Sequence, residues 1–86
     1  MSEPRKSIVS PLPGIFYRRP NPQSDVYVRE GDTVKSGDTI GLVEVMKNFY
    51  EIQAEEDGII AAFSVENEAM VDVGQEIAVL IPKEDK

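Results

Sequence analysis

Apolar residues in this chain fall in short runs that are β-branched or aromatic, at 8–10, 14–18, 26–28, 39–45, 49–53, 59–63 and 76–81. Gly, Pro, Asn or Asp stands between most of them. Runs of this kind bounded by turn formers predict β-strands. No window carries apolar residues at the three- and four-residue spacing of an amphipathic helix, so the pattern predicts an all-β sandwich or barrel of short strands.

Sliding the sequence against itself by 37 positions brings Val28 onto Val65, Val34 onto Val71, Gly37 onto Gly74 and Ile40 onto Ile77. Leu42 and Val43 then meet Val79 and Leu80. Chance would supply roughly one identity over such a stretch, so the four seen indicate two copies of one strand-turn-strand unit. Neither copy can cover its own apolar face. Packed face to face they bury both, which predicts a flattened sandwich with approximate two-fold symmetry. The first copy carries an insertion: Gly14 precedes Val28 by fourteen residues, whereas its counterpart Gly58 precedes Val65 by only seven. The extra residues fall in 18–25, around Pro20, Asn21, Pro22, Gln23 and Ser24. Two prolines make this a poor sheet segment, so it is expected as a loop, either a tolerated surface insertion or a functional feature.

Composition removes many functions. With 86 residues the chain is one small domain with a modest core. It has no cysteine and no histidine, which excludes disulfides, thiolate nucleophiles, Cys-based zinc sites and the commonest general base. Nine basic residues against sixteen acidic ones give a net charge of −7, and the basic residues do not collect, so neither nucleic acid nor an anionic membrane is an expected partner. No apolar run is long enough to span a bilayer, and the start, MSEPRK, has no apolar segment after it. The expected setting is the cytoplasm.

The remaining feature is a cation. If 39–45 and 49–53 are neighbouring antiparallel strands, their connection around Met46, Lys47 and Asn48 is tight, with Lys47 at its outer end in water. The turn lacks the Asn-Gly or Asp-Gly pair such hairpins favour, so the strands on both sides must enforce it, a sign of presentation rather than stability. From the residues alone, an ordinary exposed lysine that discourages edge pairing is the commoner reading.

The segment Glu44-Val45-Met46-Lys47-Asn48 resembles the attachment motif of biotin carboxyl carrier proteins, usually Glu-Ala-Met-Lys-Met. The resemblance extends through SIVSPLPGIFYRRPNP, VREGDTVKSGDTIGLVEVMK and EDGIIAAFSVENEAMVDVGQEIAVLI, over about 7–81, to the biotinyl domain of the acetyl-CoA carboxylase carrier subunit. It implies a flattened β-barrel of two four-stranded antiparallel sheets with quasi-two-fold symmetry, a biotinyl domain over 7–82, and flexible ends at 1–6 and 83–86. It implies biotin on Lys47, with Glu44, Val45, Met46 and Asn48 read by a biotin protein ligase, and a protruding thumb at the insertion. Biotin in this family takes a carboxyl group from a biotin carboxylase to a carboxyltransferase. Val45 and Asn48 depart from the usual Ala and Met, which bears on the ligase's acceptance of the site; Asn48 suits a turn. A lipoyl carrier of a 2-oxo acid dehydrogenase and an unmodified module of the same fold are the alternatives. Met46 and the thumb speak against the lipoyl reading, since lipoyl domains usually carry aspartate before the lysine and lack a thumb. The resembling subunits commonly have an N-terminal extension and an Ala/Pro-rich linker, so the chain is read as an excised domain or a short stand-alone carrier. The carboxylase and transferase then lie elsewhere.

Other groupings are weaker. Glu55, Glu56, Asp57 and Gly58 lack the alternating spacing of a calcium loop and read as a solvated turn. Phe16, Tyr17, Tyr27, Phe49, Tyr50 and Phe63 sit at strand positions and read as packing rather than base stacking. Arg18 and Arg19 form a small basic island beside the thumb, a solvated strand end or a contact for an anionic partner.

Overall fold

The structure is a computed structural model and describes residues 5–83. Among these, eight strands occur and no helix long and apolar enough to cross a membrane. The strands are β1 (Lys6–Val9), β2 (Gly14–Tyr17), β3 (Thr33–Val34), β4 (Thr39–Val45), β5 (Asn48–Gln53), β6 (Gly58–Phe63), β7 (Met70–Val71) and β8 (Glu76–Pro82). They form two four-stranded antiparallel sheets, in the orders β1-β8-β6-β3 and β5-β4-β2-β7. The fold is the flattened barrel of two sheets that the repeat requires.

The symmetry runs through every level. Replacing β1, β8, β6 and β3 by β5, β4, β2 and β7 turns one sheet order into the other. Strands β3 and β4 map onto β7 and β8 at the same 37-residue shift, Thr33 to Met70 and Thr39 to Glu76. Buried residues pair likewise: Val34 with Val71, Ile40 with Ile77, Val43 with Leu80, and, across the longer shift, Ile8 with Ile52 and Phe16 with Ile60. Each such side chain contributes about 1.5–3 kcal/mol by leaving water. Gly14 and Gly58 show why the equivalence is strict. A Cβ on Gly14 would run into the carbonyl oxygen of Glu44, and one on Gly58 into that of Ile81, at the same place in each half.

The chain differs from expectation at several edges. Residues 26–28 are not a strand, because their polar backbone atoms are taken by the loop. Tyr27 N donates to Arg18 O at 2.9 Å, Val26 N to Asp25 Oδ1 at 2.9 Å, and Val28 O accepts from Arg18 Nη2 at 3.4 Å. Strands β3 and β7 replace that expectation, two residues each and too short for a sequence signal. β1 starts at Lys6, inside the expected N-terminal tail; residues 1–4 and 84–86 lie outside the described residues.

Glu76 ties β1 and the residue that follows β6 to β8. Its carboxylate accepts from Ser7 Oγ at 2.5 Å and from Ser64 Oγ, and these bonds, Ser64 first, hold it below the ordinary glutamate value of 4.5. A carboxylate depressed in the folded state stabilises fully above 4.5 and loses that stabilisation as pH falls through its folded value. Thermal melts from pH 6 down to about pH 3 should therefore fall less steeply for Glu76→Gln than for the wild type.

Candidate functional site: the β4–β5 hairpin

Strands β4 and β5 pair from Thr39↔Gln53 to Val45↔Asn48, leaving Met46 and Lys47 as a two-residue connection. Both lie in the left-handed region, with φ of 53° and 68°. Positive φ at both central positions is what a type I′ hairpin turn requires and why Asn-Gly is its favoured pair. Met and Lys carry a Cβ and pay about 1–2 kcal/mol each for that conformation. The paired strands must offset this, so the turn is held by its flanks rather than by its own preference. Asn48 is the first residue of β5, outside the turn, so the positive φ falls on Met46 and Lys47 and not on it. The ladder, not Asn48, makes the turn.

Met46 and Lys47 are exposed, Met46 at 87%. Among the described residues, Lys47 Nζ enters no ion pair and no hydrogen bond. Val45 packs against the core, while Glu44 faces outward and accepts a hydrogen bond from Tyr17 Oη at 3.0 Å. That bond, with burial second, raises the Tyr17 phenol above its ordinary value of 10.0. The Tyr17 ring also leans on Phe49, centroids 6.1 Å apart.

The insertion is an ordered loop. Asn21 Oδ1 accepts from Gln23 N at 3.0 Å and Ser24 Oγ at 3.2 Å, its carbonyl accepts from Ser24 N at 3.1 Å, and the Tyr27 N to Arg18 O bond closes the base. Arg29 forks onto both oxygens of Asp25, at 2.7 and 2.8 Å, and with the Val26 N–H lowers that carboxyl below its ordinary 3.8. A cavity of about 650 Å³ opens between loop and hairpin, with Tyr17 and Phe49 on one side and Arg19, Pro20, Asn21 and Pro22 on the other. Gln23 and Ser24 do not line it. Arg18 is half-buried, its guanidinium 4.1 Å over the Phe63 ring, so it anchors the loop base instead of standing as a free basic island.

Sequence reasoning passed over two residues beside the site. Tyr17 was only one aromatic among several. Glu68, on the same cavity, has φ of 70° and falls in the repeat on Gly31, whose φ is 94°; the self-alignment carried that signal. The Glu55 to Gly58 turn lies at the other end of β5 and engages the described chain ends: Lys6 Nζ meets Glu56 at 2.7 Å, and Lys83 N donates to Asp57 O at 2.9 Å.

The family model of biotin-requiring enzymes, which covers biotin and lipoyl attachment, matches residues 6–80. Among curated proteins, the biotin carboxyl carrier protein of acetyl-CoA carboxylase from Porphyra purpurea is 45% identical over 69 residues, covering 80% of this chain and 44% of that one. The protein of the same name from Streptococcus pyogenes serotype M6 is 40% identical over 68 residues, 79% of this chain and 41% of that one. The chain thus spans less than half the length of these relatives. Among solved structures, urea carboxylase of Kluyveromyces lactis superposes with a TM-score of 0.73 at 26% identity, covering 94% of this chain and 6% of that one. A single-chain, multi-domain long-chain acyl-CoA carboxylase gives 0.79 at 15% identity over 98% of this chain and 8% of that one, a likeness of fold. A match from the first strand into the last, on a barrel that lifts a free lysine on a strained turn, has one conclusion: the chain belongs to the biotin-requiring enzyme family of biotin and lipoyl attachment domains.

Proposed function

We propose that the chain is a biotin carrier, loaded on Lys47 by a biotin protein ligase that reads Glu44, Val45, Met46 and Asn48 on the folded hairpin. The observation that supports it best is the Lys47 amine, exposed and without an ion pair among the described residues, on a turn whose conformation the flanking strands impose. An attachment lysine needs an accessible amine and no ion pair to break before the ligase removes its proton, and the exposure of Lys47 and its lack of an ion pair among the described residues support that role. Biotin held on Lys47 would supply the carrier chemistry, the transfer of a carboxyl group from a biotin carboxylase to a carboxyltransferase. The chain's own residues hold and present. The stiff hairpin keeps the arm off its own domain, and the tether raises the local concentration of the cofactor at each partner. Acylation removes the lysine charge and makes the domain one unit more negative than −7.

In this reading the chain is a non-catalytic carrier in the cytoplasm. The system it serves is acetyl-CoA carboxylase, whose product malonyl-CoA feeds fatty acid synthesis, because the carriers it resembles are named for that enzyme. The intact mass of the protein from its native cells tests this: a biotin adduct on Lys47 is expected, and a lipoyl adduct there would overturn it.

The loop at 20–24 is proposed as a functional thumb. Its closure by the Tyr27 to Arg18 bond lies outside 20–24, so removing those residues should leave the barrel folded. Carboxyl transfer or the choice of ligase should change; no change in either assay would make the loop filler.

A further inference from the structure

We infer that Tyr17 is a positioning residue for the attachment hairpin, holding Glu44 and thereby the end of β4 that carries the Met46 and Lys47 turn. This rests on the reading of Lys47 as the attachment residue. Tyr17 on β2 stands opposite Leu42 on β4; Glu44, two residues on, shares its face, and Phe49 on β5 stands opposite Glu44. One side chain of β2 therefore touches both strands of the hairpin, through the 3.0 Å hydroxyl bond to Glu44 and the ring contact with Phe49.

The hairpin needs such support. β5 is an edge strand with a ladder on one side only, and its ladder ends at the Val45↔Asn48 pair. Beyond that pair lie two residues that disfavour their own conformation. Among the described residues, Tyr17 is the only side-chain hydrogen-bond partner of Glu44. Without the hydroxyl, Glu44 loses its partner and the hairpin end visits conformations in which Lys47 points elsewhere. A ligase that accepts only the ordered tip then sees a smaller competent fraction, which enters as a higher apparent KM.

The test is Tyr17→Phe, which keeps the ring and removes the hydroxyl. The KM for biotinylation by a biotin protein ligase should rise about tenfold with kcat nearly unchanged, the lower end of the scale for one hydrogen bond to a charged acceptor. The NMR order parameter of the Lys47 amide should fall, a measurement that needs no ligase. Ser7→Ala is the control, because it removes a hydroxyl bond to a glutamate in the other sheet and should change neither reading. In a Glu44→Ala background, Tyr17→Phe should have no further effect. An unchanged order parameter, an equal effect in both backgrounds or the same effect from Ser7→Ala would overturn the role of Tyr17. Should the wild-type chain not be biotinylated at all, the carrier reading fails separately, and the order parameters still decide for or against Tyr17.

Discussion

Lys47→Arg should abolish biotinylation: co-expressed with a biotin ligase, the variant is expected to give no streptavidin signal while the wild type is labelled. The reason lies in the chemistry of the head group. A guanidinium cannot lose its proton under protein conditions and so offers no nucleophile for an amide. The exchange costs the fold little, because Lys47 is exposed and Nζ has no partner among the described residues to strand. Arginine also has the same Cβ in the same left-handed position, φ 68°, so the turn is no worse than before. The melting temperature of Lys47→Arg should match that of the wild type, which separates loss of the amine from loss of the hairpin. Residual labelling of the variant would mean that another lysine is the acceptor.

Phe16→Ala should have the second large effect, on stability. Phe16 is completely buried on β2, 6.2 Å from the Phe63 ring, and its ring edge occupies the space where Gly41 of β4 would carry a Cβ. It fills the middle of the barrel, where Ile60 is its symmetry mate. Removing a buried ring leaves a cavity that packed sheets cannot close, at about 3–5 kcal/mol. For a domain of this size that lowers the melting temperature by more than about 10 °C. Urea or thermal unfolding monitored by circular dichroism measures it. Because β2 lies beside β4, the same variant should lose ligase acceptance as the hairpin loosens, whereas Lys47→Arg leaves the hairpin folded.

The repeat made most of the barrel readable from sequence. Apolar identities such as Val34 with Val71 and Ile40 with Ile77 mark positions where two copies of one unit meet, and burial at both members is the physical reason they match. Short ladders escaped. Thr33, Val34, Met70 and Val71 are strands only because β6 and β2 offer partners, and nothing in a two-residue stretch announces its partner. Val26, Tyr27 and Val28 have strand-like side chains, yet the thumb's own hydrogen bonds claim their backbone. At the site, the exposed lysine in a tight turn after Val45 is legible in the sequence, but the turn reads one residue too long: Asn48 has turn propensity, yet the ladder takes it into β5 and confines the bend to Met46 and Lys47. Tyr17 was hidden because its bond to Glu44 joins residues 27 apart in sequence, which local pattern does not see.

In the carrier role proposed for Lys47, the place where the described ends of the chain emerge sets how the cargo would travel. Lys6 and Lys83 both meet the turn that follows β5, whereas Lys47 precedes that strand, so its six residues, roughly 20 Å, separate anchorage from payload. A neighbouring segment joined at either end would swing the barrel as a rigid rod with the amine at the far pole. The radius swept would then include the protein body as well as the flexible side chain.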